Sequence, residues 1–433
     1  MIRHPVKLVY SERKIDATEV SMNEVSNRRQ VTIIALITAV CLLGDSFLYI
    51  ALPTHWRELG LQSPLQVGIL LSANRFVRLP LNPLIGWLYQ KISRRSGIVM
   101  AVVLAIATTA SYGLLQGFWP LLAMRCLWGA AWTFLRLGAF FTILDVTHDQ
   151  NRGVYLGRYN GLYRLGSLVG MLAGGLLADQ VGFSAAAVLF AAMAVPALPV
   201  VLRIVPANKT EKTIGSAADT PAVWREPSVL WSLLAGLLVA MLYQGVFTST
   251  LSYVIDSREI VLTAAGTAIG AATLAGILQA IRWGWEPWLA PLFGKLSDGR
   301  HGRRSIFVLS LLLACCLFAL IPMPLPTGVW LAVLLAVQVT STALTTVTDA
   351  LASDAAVRSS KAKVMTAYSV ATDLGAALGP LLAYFIAGKW GLADLYWGSA
   401  FLLLLLALRW GMVKMEKAEC PSVQRDAGGS SGL

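Results

Sequence analysis

Nine ionisable side chains stand where an ionisable side chain is costly: Asp45, Arg75, Arg78, Arg125, Arg136, Arg164, Arg282, Glu286 and Asp373 all fall inside long apolar runs. A charge near the centre of a hydrocarbon layer costs at least about 2.5–3.5 kcal/mol on insertion scales. Each therefore needs an opposite charge, a wet cavity or a task. The chemistry on offer is recognition and proton exchange: an arginine fork suits carboxylate or phosphate, and a carboxylate takes up and releases protons. No nucleophile–His–Asp grouping accompanies them, so no enzyme is expected. The histidines (His4, His55, His148, His301) are scattered, and the cysteines (Cys41, Cys126, Cys315, Cys316, Cys420) form no C-x-x-C pair. No metal site is expected, and no cofactor. A nucleotide-binding P-loop is also missing, which leaves an ion gradient as the energy source, proton by default.

The elements that must position these groups are apolar helices. Of 433 residues, 56% are hydrophobic and 13% charged, and the mean hydropathy is +0.65. A soluble domain carries roughly 25% charge, so much of this chain has lipid as its solvent. Roughly 20 apolar residues make one crossing. Apolar runs fall at 31–53, 65–90, 97–117, 119–142, 156–178 and 184–205, then at 227–252, 262–295, 305–322, 329–350, 364–387 and 394–413. The expected fold is an all-α membrane protein of twelve transmembrane helices. It divides into a disordered tail (1–30), a six-helix bundle (31–205), a central loop (206–226), a second six-helix bundle (227–413) and a C-terminal tail (414–433).

The net charge of +12 does not point to nucleic acid, because the cations sit in short gaps between apolar runs. One alternating set of gaps holds Lys91, Arg94, Arg95, Arg152, Lys209, Lys212, Arg225, Arg300, Arg303, Arg304, Arg358, Lys361 and Lys363. The other holds little beyond Arg57, Arg258 and Lys389. By the positive-inside rule, both termini and the central loop are cytoplasmic. No cleavable signal peptide is visible. The expected setting is a cell membrane, a bacterial cytoplasmic one, crossed many times by a monomer.

The halves repeat. Gly86 and Gly294 lie 208 residues apart (294 − 86), and the same shift carries Pro83 onto Pro291 and Arg78 onto Glu286. A shift of 209 (354 − 145) carries Asp145 onto Asp354, Arg164 onto Asp373, Gly166 onto Gly375 and Gly170 onto Gly379. A near-constant offset that includes Gly and Pro marks two copies of one six-helix unit.

Two loops give this unit a family likeness. Residues 294–304 read Gly294-Lys-Leu-Ser-Asp298-Gly-Arg-His-Gly-Arg303-Arg304, and residues 86–95 read Gly86-Trp-Leu-Tyr-Gln90-Lys-Ile-Ser-Arg94-Arg95. The first is close to the G-x-L-x-D-R-x-G-R-R loop of the major facilitator superfamily, with one extra residue; the second has Gln90 where that family prefers Asp. Arg125-Cys-Leu-Trp-Gly129 is similar to the family's R-x-x-x-G pattern, and Gly166-x-x-x-Gly170-Met171-x-x-Gly174 to its exporter motif with Met171 at the proline position. Gly379-Pro380 matches the G-P element of that motif. Small residues at this spacing also serve close helix packing. The resemblance covers nearly the whole chain and implies alternating access between two bundles, with Arg125 linked to proton coupling.

Depth along the runs suggests partners. At about 1.5 Å per helical residue, Asp45 and Arg75 reach similar depth, as a structural pair or as a site where Asp45 takes a proton when Arg75 turns to substrate. Arg136 joins them as a candidate for substrate or coupling. If the family architecture holds, Arg78 faces Asp373 and Arg164 faces Glu286 across the seam, closing the cytoplasmic side. Pairs within one half and plain cavity lining are the other readings. Trp128, Trp132, Tyr159, Tyr163, Trp283, Trp285 and Trp288 are candidate cavity walls or packing groups.

Five first-half arginines against Asp45 focus positive potential, which favours an anionic or zwitterionic small-molecule substrate, a metabolite or metal chelator. The expected function is its proton-coupled export. A multidrug/proton antiporter, an uptake permease and a non-transporting receptor or assembly factor are the alternatives.

Overall fold

A computed structural model of the chain describes residues 17–146, 152–205, 226–260, 262–264, 267–298, 302–358 and 361–412. The apolar runs become long helices in two groups. The first holds α1 (Ala17–His55), α2 (Pro64–Tyr89), α3 (Arg94–Leu114), α4 (Phe118–Val146), α5 (Arg152–Val181), and α6 (Phe183–Ala194) continued past a turn by α7 (Ala197–Ile204). The second begins with α8 (Pro227–Val239), a π-helical stretch (Ala240–Phe247) and α9 (Thr248–Asp256) on one axis. It continues with α10 (Ala271–Asp298), α11 (Gly302–Leu320), α12 (Thr327–Arg358), α13 (Lys361–Lys389) and α14 (Leu392–Met412).

Among the described residues, ten helical segments are long and apolar enough to cross a membrane. The two that miss this standard, α2 and α10, hold repeat-related places and carry Arg75, Arg78, Arg282 and Glu286. Leu309, Leu313, Phe401, Leu405 and Leu408 are exposed, an apolar exterior that water does not favour and lipid does. This is a multi-pass membrane protein.

Local chemistry sets the boundaries. Pro64 and Pro227 open α2 and α8, where a missing N–H costs nothing. Ser93 caps α3 by accepting the Ser96 N–H, and Gly182, at φ +92°, lets the chain turn from α5 into α6 within one residue.

Two expectations change. The stretch 17–30, read as a disordered tail, is the first part of α1, because its polar residues continue the helical register of the apolar run behind them. The run from 262 does not begin as helix: Leu262–Ala264 and Thr267–Ile269 pair as a short antiparallel hairpin, and α10 starts at Ala271. The β-branched and Gly-punctuated stretch favours strand there. The central-loop residues 206–225 and the C-terminal tail 414–433 lie outside the described residues, as do Lys209, Lys212, Arg225 and Arg300.

Each half is laced together at the same place. Gly166 and Gly170 of α5 sit against the backbone carbonyls of Ala39 and Leu43 of α1, and Gly174 against Phe47. Gly375 of α13 meets the Leu237 carbonyl of α8, and Gly379 meets Met241 and Gly245. At these contacts only a residue without Cβ leaves room. The π turn at Ala240–Phe247 coincides with the Gly245–Gly379 approach and turns Gln244 toward the interior.

Candidate transport cavity

Between the two groups lies a cavity of about 600 Å³, walled by α1, α2, α4 and α5 on one side and by α8, the π turn, α10, α12 and α13 on the other. We call the end bearing Arg94, Arg95, Arg303 and Arg304 the basic end. At the other end the halves are in contact. Gly68 of α2 rests on the Pro380 carbonyl and Tyr384 of α13, and Ser72 accepts the Leu381 N–H at 3.1 Å. Gly175 of α5 lies against the backbone of Ala272, and Asp179 Oδ2 accepts both the N–H (2.7 Å) and the hydroxyl (2.5 Å) of Thr273. Asp179 thereby caps α10 from the other half of the protein, a favourable place for a carboxylate. From this closure the cavity runs toward the basic end, past Ala290, Asp349 and Tyr368.

The buried charges find partners only partly as their depth suggested. Asp45 pairs with Arg125, not with Arg75: the Arg125 Nη1–Asp45 Oδ1 distance is 2.5 Å, and Arg125 is 1% exposed. The physical reason is the Gly129 contact. It seats α4 directly on the Asn74 carbonyl of α2, so Arg125 passes beside α2, donates Nε to the Leu70 carbonyl at 2.9 Å and reaches α1. Arg75 turns one helical turn away and donates to the Tyr49 hydroxyl at 3.2 Å. Arg136 projects into the cavity, exposed.

Of the two cross-seam pairs, one is in contact. Arg164 Nη1 donates to Glu286 Oε1 at 3.0 Å. Arg78 and Asp373 both line the cavity, but no ion pair joins them among the described residues, and Arg78 Nε is buried without a hydrogen-bond partner. The two charges still act on each other across the opening, and Asp373 acts on Arg75 as well. The expected Arg78–Asp373 bridge is therefore absent in this state, because the halves meet at the opposite end and part here. Trp128, Trp132, Tyr163 and Trp283 line the cavity; Tyr159 is buried in packing and Trp288 is 75% exposed on the outside.

The sequence of the chain matches the Major Facilitator Superfamily profile over residues 34–285 and 288–429. The chain belongs to the major facilitator superfamily. It is 26% identical over 393 residues to the multidrug resistance protein MdtG of Proteus mirabilis, a match spanning 85% of this chain and 91% of that protein. MdtG of Salmonella choleraesuis is 26% identical over 373 residues, 82% of this chain and 88% of the relative. Among solved structures, a bacterial homolog of the human lysosomal transporter Spinster, inward-facing and unoccupied, superposes with a TM-score of 0.68 at 16% identity, covering 89% of this chain and 96% of that one. A peptide transporter of the POT family with sulfate gives 0.70 at 14% identity, over 89% and 93%. The structural likeness carries the fold alone.

In this superfamily member the duplicated loops are built twice from the same contacts. Arg94 pairs with Asp145 in the first half, and Arg303 with Asp354 in the second. Arg95 Nε donates to the Val205 carbonyl at the end of α7, and Arg304 Nε to the Trp410 carbonyl at the end of α14. Both cations thus satisfy the last, otherwise unpaired carbonyls of their own half. Gly86 and Gly294 hold matching places on α2 and α10 with open space around them.

Four residues of the cavity and its closure escaped the sequence reading: Tyr49, Asp179, Asp349 and Tyr368. Asp349 stands inside the apolar run 329–350, near its end, where a charge passes for a boundary residue; its place in the run was the available signal. Asp179 follows the run 156–178 directly and gave none.

Proposed function

We propose that this chain is a secondary active exporter that carries a small organic solute across a cell membrane by alternating access, with proton as the coupling ion. The reading takes the helices as twelve crossings, with both termini and the basic loops cytoplasmic, as the charge distribution favours. The observation that carries it is the charged cavity between two similar halves, open toward the basic end and clasped at the other. A membrane protein that maintains buried charges of both signs around a wet space has a use for that space. With the basic end inside, this is the inward-open state.

The first-half wall presents Arg75, Arg78, Arg136 and Arg164, with Asp45 already engaged by Arg125. That balance supports an anionic or zwitterionic solute, such as a carboxylate-bearing metabolite or metal chelator. A multidrug/proton antiporter is the second reading, favoured by the name of the relatives that cover most of the chain. Arg164 with Glu286, still in contact in this open state, and Arg78 with Asp373 when the basic end closes, join the halves on that side.

Inverted membrane vesicles under an imposed pH gradient test this. Export predicts solute uptake into the vesicles with proton flux out; opposite vectoriality makes the protein a permease, and no flux for any solute makes it a non-transporting relative. For the gate, the double reversal of Arg78→Asp with Asp373→Arg restores part of the transport that either single reversal abolishes. No rescue would leave these two groups as cavity lining.

A further inference from the structure

The cavity holds four carboxylates, and a proton carrier among them must meet three physical conditions. Water must reach it, no fixed counter-charge can hold it ionised, and its charge must bear on a contact between the halves. Asp45 fails the second: Arg125 holds it at 2.5 Å inside the first half, with Asn74 Nδ2 at 3.4 Å. Asp373 faces two arginines, Arg75 and Arg78. Glu286 is bound to Arg164 at 3.0 Å.

Asp349 meets all three. It is exposed to the cavity near the basic end. Its Oδ1 accepts from the neutral Tyr368 hydroxyl at 2.7 Å, and no ion pair engages it among the described residues. It is close enough for the charges of Arg164 and Glu286 to act on it. The surroundings are otherwise sparse. From α13 comes Tyr368, whose ring packs on Gly236, and from α10 come Glu286 and Arg282. Arg164 reaches in from α5, while Arg303 of α11 spends one donor on the neighbouring Ala350 carbonyl at 3.1 Å; α8 carries no titratable side chain. Glu286 Oε2 is buried without a hydrogen-bond partner, so the group formed with Arg164 is not fully satisfied.

We propose that Asp349 is the proton-binding site of this transporter, and that its protonation releases the hold of Arg164 on the second half. This rests on the proton-coupled reading above. With both carboxylates ionised, Asp349 and Glu286 together attract Arg164 and draw α5 toward α10 and α12. When Asp349 takes a proton from hydronium in the cavity, one carboxylic acid and one water form. The Arg164–Glu286–Asp349 group becomes neutral, the attraction falls, and the halves part further at the basic end, where this contact still joins them across the open cavity. Loss of the proton to water reverses the step. The sequence offered Asp45 of α1 as a proton site or as half of a structural pair; here Arg125 holds it, while Asp349 has no ion pair among the described residues.

Infrared difference spectra of the purified full chain in lipid, taken as pH is stepped, test this with protons as the only ligand. Wild-type protein should show a protonated-carboxyl band that titrates. Asp349→Asn should lose it, and Asp45→Asn should keep it. Tyr368→Phe should move the midpoint to higher pH by about one unit, since the lost donor favoured the charged form. Spin labels at the basic ends of α5 and α10 should separate on acidification in wild type but not in Asp349→Asn. A band and a separation that survive Asp349→Asn in folded protein overturn the assignment while leaving proton coupling intact. A wild-type protein with neither response overturns proton coupling, and the assignment with it.

Discussion

At the basic end of the second half, Arg303 donates Nε to Asp298 at 2.9 Å and also reaches Asp354, while Arg304 caps α14. In the first half Arg94 reaches Asp145 and Arg95 caps the end of α7, but Gln90 stands where the repeat has Asp298, and Arg94 Nε is buried without a partner. The first half thus has an amide, one methylene longer, where the second has a carboxylate, and it has a donor left unpaired. The halves part company again at their carboxylates. The first-half acid Asp45 is sealed against an arginine that is 1% exposed; the second-half acid Asp349 accepts from a tyrosine hydroxyl and has no ion pair among the described residues. Duplication preserved the framework and let the two walls specialise.

That contrast yields an ordered set of outcomes in thermal stability, read as the melting midpoint of purified protein by fluorescence-detected size exclusion. The largest effect belongs to Asp45→Asn. It strands Arg125 in the interior, and breaking a buried pair this way costs about 3–5 kcal/mol. Asp349→Asn should cost next to nothing on the same assay; equal losses at the two sites would erase the distinction drawn between the walls.

Gly166→Val and Gly375→Val come next. Each presses a side chain onto a backbone carbonyl, of Ala39 and of Leu237, for about 1–3 kcal/mol of overpacking. Similar losses in both would confirm that the repeat is a packing repeat, and a tolerated valine in either half would break it. Gln90→Asp should raise stability by about 1 kcal/mol by giving Arg94 Nε its acceptor. Asp298→Asn should also have a small effect, under about 1 kcal/mol, because that pair is solvent-exposed. A loss of stability on Gln90→Asp would mean the orphan donor has another partner.

Much of this was legible in the residues. The apolar runs that became membrane-length helices, the shift that relates Arg78 to Glu286, and the glycines at 166, 170, 375 and 379 all follow from composition and spacing. Composition fixes the solvent, and a glycine step fixes where two helices approach, so both survive translation into space. Partner choice did not survive. Asp45 and Arg75 share a depth, yet depth carries no azimuth, and rotation of α4 about the Gly129 contact delivered Arg125 instead.

The sequence by itself determined a duplicated, lipid-embedded helical chain with charges that lipid does not tolerate. Only the tertiary structure decided which of those charges neutralise each other and which face an open cavity. A side chain's chemistry is local, but the counter-charge, the water and the neighbouring helix that govern it arrive from residues far away in the chain.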